Sequence, residues 1–538
     1  MTDAPAATMS PRPWAMARAW AWPAAATVVV VGSILLRAAF LDQRQMFKDE
    51  GASWLLSSFA LPNLISHTMQ DVYPPLYALV LHFWMIAFGD SVTTLRLLSV
   101  LLGLGVVAAA WRWGHEALGR NWGLVVLMGV GLSGLALEDA REVRMHVLEV
   151  LSATIAWWLV WRLSRQREPG RPWRTIAVLV VAVAGELWTS PMGLPTIALQ
   201  GMFVLSVVVF GRRAGARSAL LGLFLGGLTF LPWLPVQLSV VFNGQAFWTP
   251  VPDPVLLPYA FDTQLMGRGH TRVLPIIAGL PLLALALGGY LDLLRGRTGP
   301  LAERDDDRFL AWMLTFALAL IPLAWLYSQV HSVWDVEYFG NILPALAIAL
   351  AAGGRALARR LTPHDARTLV ACGLVIFIVL GLSSTQRLQQ RLADEDLTPA
   401  VQVYDQLAPM ARPGDVVLAI DSRSYFAIDY LVARTDDPLP LAAPLYTWDN
   451  GHEPFFYGQG LVPPDRLIDP AWVTQQGGWS SAFPGLKSGG RIFLIDLEDD
   501  DLTAIGFGPL DDGTLHQVSR QDIAYAGRIA QIRTLVVP

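Results

Sequence analysis

Apolar runs of about 20 residues, the length needed to cross a bilayer, recur through the first 384 residues. They lie at about 22–41, 95–113, 122–138, 146–163, 174–189, 191–210, 218–241, 272–294, 309–328, 338–354 and 368–384, which predicts about eleven transmembrane helices. A further run, PPLYALVLHFWMIAF at 74–88, is shorter and opens on two prolines. Its length predicts a helix lying at the membrane interface rather than crossing it. Beyond residue 384 the apolar stretches shrink to strand length in DVVLAI (415–420) and RIFLIDL (491–497), with a helical pattern in SYFAIDYLVA (424–433). The pattern therefore predicts an α-helical polytopic membrane protein with an interfacial helix and a small C-terminal α/β domain. The expected division is an N-terminal tail at 1–21, a membrane domain at 22–385 with an outer loop at 42–94, and a soluble domain at 386–538.

Composition agrees with the membrane reading: 54% of residues are hydrophobic, 15% are charged and the mean hydropathy is +0.43. A net charge of −5 gives no basic footprint for nucleic acid. The single cysteine, Cys372, builds neither a disulfide framework nor a thiolate metal cluster within one chain. The first apolar run is too long for the core of a cleavable signal and reads as a span.

Arginine distribution sets the orientation, because basic residues collect in short cytoplasmic loops. With the N-terminus inside and the 74–88 helix not crossing, the arginines at 112–120, 162–174, 212–217, 295–308 and 355–367 all fall on the inner side. The same parity puts FKDEGASW (47–54), EDAREVRMH (138–146), the proline-rich loop 241–261, HSVWDVEYFG (331–340) and the soluble domain on the outer face. The chain is thus expected in the cell membrane as a multi-pass protein, with its C-terminal domain extracytoplasmic.

These outer segments hold the conspicuous charges. Lys48, Asp49 and Glu50 follow the first span directly, and lysine recurs only at Lys487. Such an acidic pair either marks the membrane boundary, where carboxylates favour a helix N-terminus, or serves a site, since ionisable groups at a bilayer edge are costly without a function. In AREVRMH two arginines flank Glu142, a local salt-bridge cluster or part of the same site. Carboxylates that can take a proton beside guanidinium groups that can bind phosphate suit transfer from a phosphate-linked donor. Asp49, Glu50 and Glu142 could also bind a hard divalent cation, although no spacing demands one and no other cofactor is implied.

DEGAS after the first span, DVYPPLYALVLHFWMIAFGDSVTTLRLLSVLLG, AREVRMHVLEVLSA, FLPWLP and EYFGNILPALAIALAAG together resemble the polyprenyl-phosphate-sugar glycosyltransferases of the GT-C superfamily. The type is that of the protein O-mannosyltransferases and the lipid A aminoarabinose transferases, glycosyltransferase family 39, and the likeness covers about 24–354. It implies inverting transfer of a hexosyl or pentosyl unit from a polyprenyl-phosphate donor to an acceptor lipid, glycan or protein at the outer membrane face. It places Asp49 as general base with Glu50 beside it, and Arg144 and Lys48 at the donor phosphate. Glu142, Asp71, Tyr73, His82 and Tyr338 become further cavity candidates. Two departures stand out: Tyr73 and His146 replace the family's usual histidine and tyrosine, and Glu337 stands where the family has an arginine before Tyr338. The alternatives are a transporter, which the apolar midspans and the absence of a visible repeat disfavour, and an inactive relative, which Glu337 motivates.

Overall fold

The computed structural model describes residues 13–42, 46, 48–167, 172–211, 213–242, 249–268, 273–296, 301–361, 365–393, 399–433, 440–449, 461–497, 507–510, 513–525 and 528–538. Most of the expected N-terminal tail, residues 1–12, lies outside them. So do residues 243–248 of the proline-rich loop, Trp248 included.

Helices occupy each of the eleven apolar runs, though several are interrupted. The chain opens with α1 (Pro13–Ala38), α2 (Lys48–Ser58), α3 (Leu61–Thr68), α4 (Leu76–Phe88) and α5 (Val92–Leu118). The third run splits into α6 (Arg120–Gly131) and α7 (Gly134–Asp139), because Ser133 leaves the helix to cap α7, accepting from the amide of Ala136 at 3.1 Å. Arg37 satisfies orphan carbonyls at the end of α6, donating to Gly131 O at 2.7 Å and Val130 O at 3.4 Å, and also donates to Ser33 Oγ of its own helix at 2.6 Å. Then come α8 (His146–Ser164), α9 (Trp173–Thr189), α10 (Gly193–Ser206), α11 (Ala216–Leu228) and α12 (Leu234–Phe242), the last two separated at the prolines of FLPWLP. The membrane part continues with α13 (Leu256–Met266), α14 (Val273–Arg295), α15 (Leu301–Leu318) and α16 (Leu320–Ser328). It closes with a 3₁₀ turn (Val336–Ile342), α17 (Leu343–Leu361) and α18 (Asp365–Ala393). Among the described residues, five segments have both the length and the apolarity to cross a membrane: Val92–Leu118, His146–Ser164, Gly193–Gly211, Asp305–Ser328 and Val336–Arg360.

The two ends of the helical domain differ in charge. At one end the arginine-rich turns meet the acidic start of α15: Arg167 lies 3.3 Å from Asp305, Arg213 3.9 Å from Asp306 and Arg355 2.8 Å from Asp307. At the other end gather α2, the 71–73 turn, the 140–145 segment and the 336–342 turn.

The C-terminal domain is a six-stranded sheet of β1 (Val416–Ala419), β2 (Leu445–Trp448), β3 (Leu467–Ile468), β4 (Ile492–Asp496), β5 (His516–Tyr525) and β6 (Arg528–Val536). Its order is β3-β2-β1-β4-β6-β5, parallel across the first four strands and antiparallel at β6 and β5. The central strands β1 and β4 are buried along their whole length, as expected of parallel strands covered on both faces. Val417, Ala419, Phe493 and Ile495 face α19 (Ala400–Leu407) and α20 (Ser422–Ala433), while Val416, Leu418, Ile492 and Leu494 face the opposite layer.

The sheet side bearing α20 continues into the membrane part without a break. One apolar core runs from the strands through Tyr425, Phe426, Ile428 and Tyr430 to Trp54 and Leu55 of α2, then to Tyr77 and Leu81 of α4 and Leu95 of α5. The Trp54 ring meets the edge of Tyr430 at 5.2 Å between centroids. Trp54 Nε1 donates to Asp90 Oδ2 at 3.2 Å and the Tyr430 hydroxyl to Asp90 O at 3.1 Å. Gly51 is required where the two helices touch, since a Cβ there would stand 3.0 Å from the carbonyl oxygen of Phe426. A Gly51→Val substitution should push α20 off α2 and destabilise the junction by about 1–3 kcal/mol. Calorimetry of the purified protein should then resolve the tail as an earlier, separate transition, and a single unchanged transition would contradict the shared core.

Candidate active site

Asp49 and Glu50 form the first turn of α2, where the helix dipole favours carboxylates. Successive helical residues point about 100° apart, so the two acids cannot face one cavity, and the structure separates them. Glu50 turns inward and is fully buried. Its Oε1 accepts from Arg96 Nε at 3.0 Å and its Oε2 from Arg96 Nη2 at 2.7 Å, a bidentate pair. Glu50 Oε1 also accepts from the Val143 amide at 3.0 Å, and Arg96 Nη1 donates to Leu41 O at 2.6 Å. Glu50 therefore sits as an anchor behind the cavity rather than as a group within it. Asp49 turns outward, keeps 40% of its side chain exposed and lies 2.9 Å from Arg144 Nη1.

Arg144 is aimed by the segment that carries it. Arg141 Nη2 donates to Ala39 O at 2.9 Å, Ser99 Oγ to Glu142 O at 2.6 Å, and the Val143 amide to Glu50. With residues 141–143 fixed on three sides, the Arg144 side chain extends over Asp49. Burial works against its charge, but Asp49, then Tyr73 and Glu337, hold its pKa above the ordinary arginine value. Asp71 and Tyr73 lie within the field of the same guanidinium. Burial raises the Asp71 carboxyl to about 6 despite the Val72 and Tyr73 amides and Arg144, and burial likewise raises the Tyr73 phenol. The Tyr73 hydroxyl reaches that of Tyr338 at 3.2 Å, joining the 71–73 turn to the 336–342 turn. Asp49, Arg144, Asp71, Tyr73 and Tyr338, five of the residues singled out from the sequence, thus share one region.

The sequence reading did not single out Arg268, which ties this region together. It follows Gly267, which ends α13 with φ +83°, a conformation that only glycine adopts without strain. Its guanidinium meets four carboxylates: Glu138 at 3.0 Å, Asp139 at 3.4 Å, Glu142 at 3.3 Å, and Glu337. The Glu337 carboxylate also lies 3.4 Å from His146 Nε2. Burial opposes the charge of Arg268, yet Glu337, Glu142, Glu138 and Asp139 raise its pKa, while burial raises Asp139 well above the usual carboxylate range. A signal for Arg268 was present in the sequence, since it is an arginine on the outer side by parity, where basic residues are scarce.

The remaining candidates fall elsewhere. Glu142 belongs to the Arg268 cluster rather than to the Asp49 group. His82 sits on α4 with Nδ1 2.7 Å from Ser57 O and its ring against Phe83, so it serves the packing of α2 on α4. The Lys48 side chain lies outside the described residues. Asp49, Glu50 and Glu142 each contact a different arginine, and among the described residues no three His, Cys, Asp or Glu side chains are grouped to hold a metal.

Comparison with known structures assigns the architecture. ArnT from Cupriavidus metallidurans in the apo state superposes with a TM-score of 0.60 at 14% identity, over 97% of this chain and 98% of that one. ArnT bound to undecaprenyl phosphate matches at 0.58 and 13%, over 96% and 98%. The chain has the ArnT fold. The Archaeoglobus fulgidus oligosaccharyltransferase AglB, in complex with an inhibitory peptide and dolichol phosphate, matches at 0.48 and 11%, over 96% of this chain and 74% of that one. No family model matches, and no curated protein does. The likeness to the ArnT fold covers nearly the whole chain, soluble domain included.

Replacing Glu50 by Gln should remove the charge that faces the buried Arg96 guanidinium at 2.7 Å, costing about 3–5 kcal/mol. Thermal unfolding should show a large loss of stability that exceeds the effect of Asp49→Asn. Equal, small shifts for the two variants would contradict the anchoring role.

Proposed function

We propose that the protein is a glycosyltransferase that moves a hexosyl or pentosyl unit from a polyprenyl-phosphate donor to an acceptor hydroxyl, with inversion at the anomeric carbon. The observation that carries this reading is the pairing of Asp49 with Arg144 in a partly open site, on a chain with the ArnT fold over nearly its whole length. That a related fold has been solved with undecaprenyl phosphate bound makes a lipid phosphate the natural donor class.

The geometry suggests an order of events. Before substrate arrives, Asp49 and Arg144 neutralise each other at 2.9 Å in a pair whose carboxylate side is open to solvent, so that another anion can take its place. A donor phosphate entering beside Arg144 offers two oxygens in place of one carboxylate. Asp49 is then released towards the acceptor. The acceptor oxygen attacks the anomeric carbon as the bond to the phosphate oxygen breaks; Asp49 takes the hydroxyl proton and Arg144 stabilises the charge that develops on the departing phosphate. Tyr73 and Tyr338 present hydroxyls at the same mouth. Glu337 stands where the resemblance leads one to expect an arginine, but Arg268 brings a guanidinium to that position from another element. The competing reading, an inactive relative, draws on the engagement of Arg268 by four carboxylates.

Purified protein incubated with a panel of polyprenyl-phosphate sugars, with mass spectrometry of donor and product, separates the two readings. Donor consumption supports transfer, and its absence across the panel favours the inactive relative. Asp49→Asn should slow turnover by roughly 10²-fold or more while donor binding persists, and Arg144→Ala should weaken donor binding as well as transfer. Wild-type-like transfer by Asp49→Asn rules out the base role.

The proposed active end and the C-terminal domain are extracytoplasmic, a placement supported by the arginines gathered at the opposite end. Cysteines introduced at His67 and Gln517, with Cys372 replaced, should be labelled from outside intact cells. Labelling at Arg165 instead would invert the topology.

A further inference from the structure

Glu186 is a carboxylate that the outer site does not use. It is completely buried in the last turn of α9, with Oε1 accepting from Gln200 Nε2 of α10 at 2.9 Å. Glu149, in the first turn of α8 and 2% exposed, lies close to Ser190 at the end of α9 and within Coulombic range of Glu186. On α10, one turn before Gln200, Thr196 Oγ1 accepts from Asn341 Nδ2 at 2.8 Å, which brings in the 336–342 turn. A chain of contacts thus joins four elements around one buried spot.

Most of the polar atoms left over there are acceptors, with the buried Thr189 hydroxyl at the end of α9 as an added donor. Glu149 Oε1, Glu186 Oε2, Gln200 Oε1 and Asn341 Oδ1 are buried oxygens without a hydrogen-bond partner, on residues no more than 4% exposed. Among the described residues no basic side chain acts on either carboxylate. Buried acceptors in native proteins almost always find a donor or an ion, and two neighbouring buried carboxylates repel each other unless something positive lies between them. With the His146 ring facing Glu337, protons on both carboxyls and the Thr189 hydroxyl would supply at most three donors for the four oxygens.

We propose that Glu149, Glu186, Gln200 and Asn341 bind a hard divalent cation of the calcium type between α8, α9, α10 and the 336–342 turn. Two carboxylates match a charge of +2. An irregular, all-oxygen set that includes amide oxygens suits calcium, which accepts flexible geometry, better than magnesium, which keeps its waters and demands an octahedron. The lack of thiolate or imidazole in the set disfavours softer metals. Such an ion would stand beneath the outer site and pin the first turn of α8, which carries His146, to the turn that carries Glu337.

The full-length protein in detergent, stripped with a chelator and returned to neutral pH, tests this without any transfer assay, using radioactive calcium in equilibrium dialysis and thermal unfolding. One equivalent per chain should bind and the unfolding midpoint should rise saturably with calcium, magnesium acting more weakly and sodium not at all. Glu186→Gln and Glu149→Gln should each weaken binding about 10-fold or more. Absence of calcium binding by the stripped wild-type protein overturns the proposal, whether or not the variants fold. So does binding that survives both substitutions, or a wild-type midpoint that rises only on acidification, which would mean that protons hold the pair.

Discussion

The end of the helical domain that carries the candidate site is organised around the buried pair of Glu50 and Arg96. Two ions removed from water cost several kcal/mol each, and their attraction offsets this only when nearly every donor and acceptor is matched. Here the carboxylate takes two bonds from the guanidinium and one from the Val143 amide, and the guanidinium also reaches Leu41 O. The pair thereby fixes, at one point, the end of the first membrane segment, the start of α2, the flank of α5 and the segment that aims Arg144. Asp49 and Arg144 belong to two of those pieces, so their 2.9 Å approach follows from the anchor behind them. A single partly exposed ion pair holds two loops less firmly than a buried, fully hydrogen-bonded one, which leaves the Asp49–Arg144 pair free to exchange partners.

Much of this could be read from the chain because apolar length and arginine sidedness are strong, local signals. Each run of spanning length is helical, 74–88 became the short α4, and DVVLAI, SYFAIDYLVA and RIFLIDL became β1, α20 and β4. The positions of the breaks were less visible. Ser133 ends α6 by capping α7 inside a continuous apolar run, which hydropathy averaging hides. The different fates of Asp49 and Glu50 were hidden too, since their separation depends on where helix α2 begins and on Arg96, 46 residues away. Arg268 escaped notice because its partners come from α7, the 140–145 segment and the 336–342 turn, which only the fold assembles.

A second hidden feature was the partner of the soluble domain. The sequence 424–433 was legible as a helix, yet its apolar residues do not form a single stripe: Tyr425, Phe426, Ala427, Ile428, Tyr430 and Leu431 are all buried. A helix that is apolar all round must be covered on more than one side. One side is the sheet and the other is α2. Periodicity showed the excess, but nothing local could name what covers it.

The position of α20 has a consequence for the loop that carries Asp49. Helix α2 spans 11 residues and begins beside positions 43–45 and 47, which lie outside the described residues. A helix that short is marginal by itself in water, since nucleation is unfavourable and few bonds follow it. Its order must come from tertiary contacts. On one side these are Glu50 with Arg96 and the apolar contact with α4; on the other they are Phe426 against Gly51 and Tyr430 against Trp54. The C-terminal domain therefore completes the surroundings that keep α2 helical, and with them the direction in which Asp49 points. This accounts for a soluble domain held on a membrane protein by a shared apolar core rather than by a flexible tether.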